Sequence, residues 1–108
     1  MTKNLDLERM REAIQAGRVE WQRHALERMA RRGIRREEVF QAMLTGERIE
    51  DYPDTKPFPS ALFLGWSRVR PLHVVAAYDS LGDRAFIITV YEPDLEHFEP
   101  DFKTRRKP

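Results

Sequence analysis

The chain has 108 residues, of which 41% are hydrophobic and 34% charged, which excludes a disordered chain and suits one modest hydrophobic core. It contains no cysteine, which excludes disulfide bonds, a thiol nucleophile and cysteine ligands for zinc. No stretch resembles a signal peptide or a membrane-spanning helix, so we expect a cytoplasmic protein with a single domain over residues 1–108.

The net charge of +1 conceals an uneven distribution of charge along the chain. Residues 9–36 carry nine arginines against three glutamates, and residues 47–101 carry eleven acidic against five basic side chains. Four more basic side chains lie in residues 102–108. This pattern fits a basic surface that faces a polyanion, and it also fits basic helices that pair with the acidic half of the chain.

Residues 1–46 are predicted to form the helical half of the domain. From Asn4, a candidate N-cap, to Gly17, a candidate stop, apolar side chains recur at helical spacing. A second helix is expected over residues 24–32, and a third follows it at once and closes at Gly46.

Residues 47–92 carry the pattern of strands, and residues 93–108 are predicted to be a C-terminal tail. Two short links fit hairpin turns, whereas the proline-rich connection 53–60 cannot lie inside a sheet. The predicted fold is therefore α+β, with N-terminal helices packed on one face of a four-stranded, mainly antiparallel sheet. The predicted strands are residues 48–52, 61–67, 72–78 and 85–91.

Pairing these strands through the hairpins sorts their side chains onto two faces and places Trp66 opposite His73. The face expected beneath the helices consists of Leu62, Leu64, Trp66, Val75, Ala77, Phe86, Ile88 and Val90. The opposite face is too apolar for bulk water and is predicted to receive a partner. It consists of Phe63, Leu72, Val74, Ala76, Tyr78, Ile87, Thr89 and Tyr91.

The second predicted helix contains an unusual stretch, HALERMARRG, over residues 24–33. At about 100° per residue, His24, Arg28 and Arg31 lie on the side opposite to its apolar residues. His24 also stands at the helix N-terminus, where anions are favoured. These three side chains fit a site that binds a phosphate and transfers a proton, and they also fit a solvated basic face of the helix.

Four further positions are candidates for the same site. His73 begins a predicted strand, Arg68 and Arg70 precede it in the turn, and Tyr91 ends the last strand. Each ring residue also has a purely structural explanation: His73 fits a partly buried histidine that caps the core, and Tyr91 fits an ordinary aromatic residue of a sheet. The histidines of the chain lie too far apart in sequence to predict a metal site.

The stretches HALERMARRGIRREEV, GERIEDYP, PSALFLGW, PLHVVAAYD and ITVYEPD together resemble the bacterial family called domain of unknown function 4258. The resemblance covers residues 24 to about 106, in the order of the family. That family is grouped with the RelE-type and BrnT-type toxins of toxin–antitoxin systems, small α+β proteins with helices on an antiparallel sheet, many of which cleave RNA. The resemblance therefore implies a RelE-like fold and RNA cleavage.

The resemblance also implies which polar positions matter. The recurring polar residues of the family fall on His24, Arg28, Arg32 with Gly33, His73 and Tyr91. Arg35 departs from the family, in which serine commonly precedes the third helix. This difference weakens the helix cap and adds a positive charge.

The leading hypothesis is a toxin-like endoribonuclease that uses no metal or other cofactor and takes the RNA 2′-hydroxyl as nucleophile. His24 and His73 are the predicted acid–base pair. Arg28 and Arg68 would stabilise charge on the phosphorane, and Tyr91 would position a base or assist proton transfer. The predicted nucleic-acid-binding residues are Arg31, Arg32, Arg70, Arg105 and Arg106.

The predicted partners are RNA, including messenger RNA on the ribosome, and an antitoxin protein on the apolar second face of the sheet. The alternative is a non-catalytic module that binds protein or nucleic acid through the same sheet. The predicted pairing puts His73 and Tyr91 on opposite faces, so both can line one pocket only at an end of the sheet.

Overall fold

The computed structural model describes residues 4–68 and 70–107, which form three helices and five strands. In chain order they are α1 (Leu7–Gln15), β1 (Val19–Trp21), α2 (Arg23–Arg32), α3 (Arg36–Thr45), β2 (Glu47–Tyr52), β3 (Ser60–Ser67), β4 (Arg70–Asp79) and β5 (Arg84–Tyr91). The predicted α+β class is confirmed. No helix in the described ranges is long and apolar enough to cross a bilayer.

Local chemistry explains where the helices begin and end. The carboxylate of Asp6 accepts a backbone N–H of the first turn of α1 at 3.1 Å, so Asp6 and not Asn4 is the N-cap. α2 ends at Gly33, whose φ of 65° is a left-handed conformation that glycine adopts without strain. α3 begins after Arg35, and the Glu38 carboxylate accepts the Arg35 backbone N–H at 2.9 Å.

The five strands form one mixed sheet in the order β1-β5-β4-β3-β2. β1 runs parallel to β5, with Val19 paired with Ala85, and the other neighbouring strands are antiparallel. The prediction of four strands is therefore wrong, because it lacks β1, which lies at one edge of the sheet. β1 has only three residues, too few to show the alternation by which a strand is recognised from sequence.

The helices cover the face of the sheet opposite to the one predicted. Trp66 pairs with Pro71 and not with His73, a shift of two residues that leaves every side chain of β3 and β4 on its expected face. The helices nevertheless cover the face that was predicted to receive a partner, and the face that was predicted to lie beneath them points away from them. The sheet residues buried against the helices include Ala61, Phe63, Leu72, Val74, Ala76, Tyr78 and Ile87.

A close approach of α3 to β3 explains which face is covered. A Cβ atom added to Gly65 would lie 2.4 Å from the Cα atom of Ala42 and 2.5 Å from its Cβ atom. Only a glycine on β3 admits the helix at this distance. The face predicted to receive a protein partner is therefore in the interior of the molecule, beneath the helices.

A β-bulge moves Tyr91 to the outer face, which is the face away from the helices. The register between β4 and β5 changes between Val75 and Ala76, where β5 has one extra residue. Tyr91 consequently pairs with His73, and Val90 is buried on the helix side. The prediction that His73 and Tyr91 lie on opposite faces is wrong, because the extra residue reverses the alternation.

The chain's own C-terminal segment, residues 94–106, lies against the outer face. The ring of Phe102 packs edge-on to Trp66, with the ring centroids 6.0 Å apart. Arg105 forms an ion pair with Glu50 of β2 at 2.8 Å. The outer face around β3, β4 and the end of β5 is therefore covered by residues that come late in the chain.

Candidate nucleic-acid interface

The outer side of α2 carries a row of exposed basic side chains. His24 stands one turn before Arg28, a spacing that places two side chains together on a helix. Arg31 and Arg32 follow in the last turn and are also exposed. Among the residues that the structure describes, His24, Arg31 and Arg32 have no hydrogen-bond or ion-pair partner for their side chains. They are therefore available to an anionic ligand.

Arg28, which is half-buried, lies on Tyr91. Its guanidinium carbon is 6.0 Å from the centroid of the tyrosine ring, which is the range of a cation–π contact. The two side chains line a cleft of about 250 Å³, which we call the α2 cleft. Its other lining residues are Arg32, Glu92 and Asp94. A basic helix and an aromatic ring thus meet at one end of the sheet.

The hydroxyl of Tyr91 is held by His73. The buried ring of His73 has its Nε2 atom 2.7 Å from the carbonyl oxygen of Phe102 and its Nδ1 atom 3.1 Å from the Tyr91 hydroxyl. A carbonyl only accepts, so Nε2 carries the proton, and Nδ1 of the neutral ring accepts the Tyr91 O–H. Burial lowers the pKa of His73 and raises the pKa of Tyr91, so both side chains are neutral at pH 7.

The two histidines predicted as an acid–base pair occupy different environments. His73 is fully buried, with both ring nitrogens bonded and the ring of Phe98 edge-on at a centroid distance of 4.6 Å. His24 is exposed on α2. The structure joins His73 to Tyr91 and Tyr91 to Arg28, but it does not bring His73 and His24 together.

The predicted arginines of the β3–β4 hairpin line a second cavity, of about 320 Å³, which shares no lining residue with the α2 cleft. This cavity is lined by Arg35, Glu38, Ser67, Arg68 and Arg70. Arg70 donates to the Glu38 carboxylate at 2.7 Å and to the Gly33 carbonyl at 2.9 Å, so its charge is already balanced. Arg68 is exposed, and its side chain has no partner in the described part of the chain.

The two predicted arginines near the C-terminus make contacts within the protein. Arg105 pairs with Glu50 and lies over the ring of Phe98, with 5.0 Å between the guanidinium carbon and the ring centroid. Arg106 is 2.5 Å from Glu99. Both side chains therefore stabilise the C-terminal segment. Among the described elements, α2 is the one that carries several basic side chains without a hydrogen-bond or ion-pair partner.

Comparison with known proteins identifies the family. Residues 21–92 match the family described as Domain of unknown function (DUF4258), and this segment makes up two thirds of the 108-residue chain. The chain belongs to the DUF4258 family. Searches of curated proteins and of solved structures gave no match.

The DUF4258 segment contains nearly all of the α2 cleft. It includes the whole of α2 together with Tyr91 and Glu92, whereas Asp94 and the rest of the C-terminal segment lie beyond it. Glu92 and Asp94 are cleft residues that were not predicted. Both follow Tyr91 within three residues, in the stretch YEPD, and this closeness in sequence is the signal that could have predicted them.

An exposed cluster of Asp94, Glu96 and His97 follows the DUF4258 segment, with side-chain ligand atoms within 4.8 Å of one another. The Asp94 carboxylate is 2.8 Å from His97 Nδ1 and accepts the backbone N–H groups of Glu96 and His97. These bonds are those of a local turn. They account for the grouping, and we assign no metal to it.

Proposed function

We propose that this chain is a toxin-like, metal-independent endoribonuclease of the RelE/BrnT type, which binds RNA at the α2 cleft. The observation that carries the proposal is the contact between Arg28 and Tyr91, because it puts a cation and an aromatic surface beside a row of unpaired basic side chains. Cationic and aromatic side chains bind the phosphates and the bases of a single RNA strand. The packing of helices on a largely antiparallel sheet also supports a toxin-like fold.

His24 supplies the acid–base chemistry in this proposal. Its exposed imidazole takes the proton of the RNA 2′-hydroxyl while O2′ bonds to phosphorus and the P–O5′ bond breaks. The imidazolium then returns the proton to O5′, which leaves a 2′,3′-cyclic phosphate and a 5′-hydroxyl. Arg28 and Arg32 stabilise the charge on the pentacoordinate phosphorus.

Tyr91 holds a base by stacking in this scheme, as aromatic residues do in single-strand RNA sites. Its hydroxyl already donates to His73, so the hydroxyl takes no part in proton transfer. His73 acts by positioning Tyr91, and one catalytic histidine replaces the predicted pair. Glu92 and Asp94, across the cleft, offer acceptors for the amino group of a base.

Incubation of the purified protein with end-labelled single-stranded RNA in the presence of EDTA tests the proposal. The native chain is expected to produce fragments with cyclic phosphate ends. His24→Ala should slow cleavage by about a hundredfold or more, the usual effect of removing a general base. Arg84→Ala is the matched control for Arg28→Ala, because Arg84 is an exposed arginine at the opposite end of β5.

The expected ranking is strong loss in His24→Ala and Arg28→Ala, with Arg84→Ala cleaving like the native chain. Intact RNA after incubation with folded native protein would contradict the proposal. Equal cleavage by the native chain and by His24→Ala would contradict the role given to His24. The toxin proposal also implies an antitoxin partner, a bacterial source and a cytoplasmic location.

A non-catalytic RNA-binding module is the second candidate function. The burial of His73 favours this candidate. His73 was the predicted partner of His24 in acid–base catalysis, but both of its ring nitrogens are bonded to Tyr91 and Phe102. This candidate predicts binding without cleavage. Replacing Arg31 and Arg32 by glutamate should weaken binding and should lower the slope of log affinity against log salt by about 0.7 for each RNA phosphate that is no longer neutralised.

A further inference from the structure

A continuous series of contacts joins the C-terminal segment to the α2 cleft. The Phe102 carbonyl accepts the Nε2–H of His73 at 2.7 Å, and Nδ1 of His73 accepts the Tyr91 hydroxyl at 3.1 Å. The ring of Tyr91 in turn lies beneath the guanidinium of Arg28. His73 is fully buried, so a movement of Phe102 must change the bonding of His73 and, through it, of Tyr91.

The backbone at the start of this series is in an unusual conformation. Phe102 has φ 58°, which is rare for a bulky side chain and persists only where the surrounding structure enforces it. Its N–H donates to the Glu99 carbonyl at 2.8 Å, and its ring packs on Trp66. The residue that bonds to His73 is therefore held from both sides.

Two ion pairs tie the C-terminal segment to β2. Arg105 binds Glu50 at 2.8 Å, and Lys103 binds Glu47 at 3.2 Å. The buried ring of Phe98 lies edge-on to the ring of His73, with the ring centroids 4.6 Å apart. The segment is thus held on the sheet by ion pairs of Lys103 and Arg105 and by the aromatic packing of Phe98 and Phe102.

We propose that the C-terminal segment is a positioning element of the RNA site: seated on the sheet, it fixes the ring of Tyr91 through His73 for stacking with an RNA base. This inference rests on the proposed function of the α2 cleft. When the segment is detached, water reaches His73, the Tyr91 hydroxyl loses its fixed acceptor, and the ring is free to turn away from Arg28. His73 is a positioning residue and not a catalytic one.

Reversal of one ion pair tests the inference without changing His73 or Tyr91. Arg105→Glu sets a carboxylate against Glu50 and should detach the segment, whereas adding Glu50→Arg restores the pair with exchanged signs. The RNA affinity of Arg105→Glu should fall by about tenfold, the value of one base stack, and should recover in the double variant. Lys107→Glu is the control, because it makes the same change of charge at an exposed neighbouring residue.

The exchanged pair separates positioning from direct contact with RNA. If Arg105 bound a phosphate itself, the double variant would remain as weak as Arg105→Glu, and the inference would be overturned. It would also be overturned if Arg105→Glu and Lys107→Glu bound RNA equally well.

Nuclear magnetic resonance of the RNA-free protein gives a readout that does not depend on RNA binding. Nδ1 of His73 should resonate as an unprotonated ring nitrogen and Nε2 as a protonated one. Arg105→Glu should average the two signals and shift those of the Tyr91 ring, and the double variant should restore both. Unchanged His73 and Tyr91 signals in Arg105→Glu would overturn the inference. Changed signals in a protein that binds no RNA would retain the coupling and overturn the proposed function instead.

Discussion

Arg70, the first residue of β4, holds the carboxylate of Glu38, in the first turn of α3, through both its Nε and Nη2 atoms. The distances are 3.0 Å from Nε to Oε1 and 2.7 Å from Nη2 to Oε2. Ser67 donates its hydroxyl to the same carboxylate at 2.5 Å. One acidic side chain therefore fastens the β3–β4 hairpin to the beginning of α3.

Glu38→Gln is expected to destabilise the protein by about 2 kcal/mol at pH 7, after allowance for solvent screening of a partly exposed pair. The hydrogen bond from Arg70 is the main cause that lowers the pKa of Glu38 from 4.5 to about 2. A carboxyl whose pKa is lowered by folding stabilises the folded state above pH 4.5, and this contribution is lost as the pH falls towards 2. Urea denaturation of the native chain and the variant should therefore give curves that converge in acid.

The control for this prediction is Glu37→Gln, because Glu37 is the exposed neighbour and its nearest cation, Arg35, is 3.9 Å away. Its free energy of unfolding should differ from that of the native chain by less than about 0.5 kcal/mol. Equal losses in the two variants would show that the helix dipole, and not Arg70, stabilises these carboxylates.

His73 is expected to make the protein less stable as the pH falls below 6.5. Burial lowers the pKa of His73 in the folded state, so the unfolded chain takes up a proton near pH 6.5 while the folded chain does not. The contribution of neutral His73 to the free energy of unfolding is therefore fully present above pH 6.5. Below that pH, the free energy of unfolding falls by up to about 1.4 kcal/mol for each pH unit. Denaturation midpoints between pH 7 and pH 5 measure this slope. His73→Gln should flatten it, and His24→Gln, at an exposed position, should not.

The three tyrosines are expected to resist ionisation in the folded protein. Burial raises the pKa of Tyr78 to about 12, with a hydrogen bond to Asp83 adding to the effect, and burial also raises the pKa of Tyr52 to about 12. The pKa of Tyr91 is raised by burial too. Tyrosinate absorbance should therefore be small at pH 10.5 in buffer and large at the same pH in concentrated urea, where tyrosine titrates near pH 10.

The sign of the accompanying change in stability follows from the same shifts. The unfolded chain releases its tyrosine protons at a lower pH than the folded chain, so alkali favours unfolding above pH 10. A folded protein whose three tyrosines titrate together near pH 10 would contradict the full burial of Tyr78 and the partial burial of Tyr52 and Tyr91.

Gly65→Ala is expected to destabilise the protein by at least about 2 kcal/mol, the cost of forcing an extra methyl group into a packed contact. The new Cβ would overlap the backbone and side chain of Ala42, so α3 would have to move off the sheet. Gly17→Ala is the control. Its φ of 83° strains an alanine, but the space around it is open, so we expect a smaller loss of about 1 kcal/mol. Chemical denaturation of both variants gives the comparison, and a Gly65→Ala protein as stable as the native chain would refute the close contact.

Local patterns in the sequence were sufficient to predict most of the helices and strands. They did not predict the pairing between strands that lie far apart in the chain. Gly33 and Gly46 mark the ends of α2 and α3 where the pattern predicted them. β1 was missed, because it exists only through parallel pairing with a strand at the other end of the chain. The choice of face was also missed, since it depends on the contact between Gly65 and Ala42, which no periodicity reveals.

In the candidate site, too, local patterns were predicted correctly and long-range contacts were not. The helical wheel correctly sets His24 and Arg31 on the exposed side of α2. The proximity of Tyr91 to His73 follows from one extra residue in β5, and alternation alone predicts the reverse. The burial of His73 depends on Phe98 and Phe102, from a tail whose sequence is too polar to predict that it packs on a sheet.

The parallel pairing of β1 with β5 also sets the order in which the molecule can be completed. During synthesis α2 leaves the ribosome before the strand that it packs on, β5, and before Tyr91 at the end of that strand. A nascent chain that stops before Tyr91 has the basic helix without the aromatic ring or the cleft. On the proposed function, such a fragment, held on a stalled ribosome, lacks the site needed to cleave the message being read.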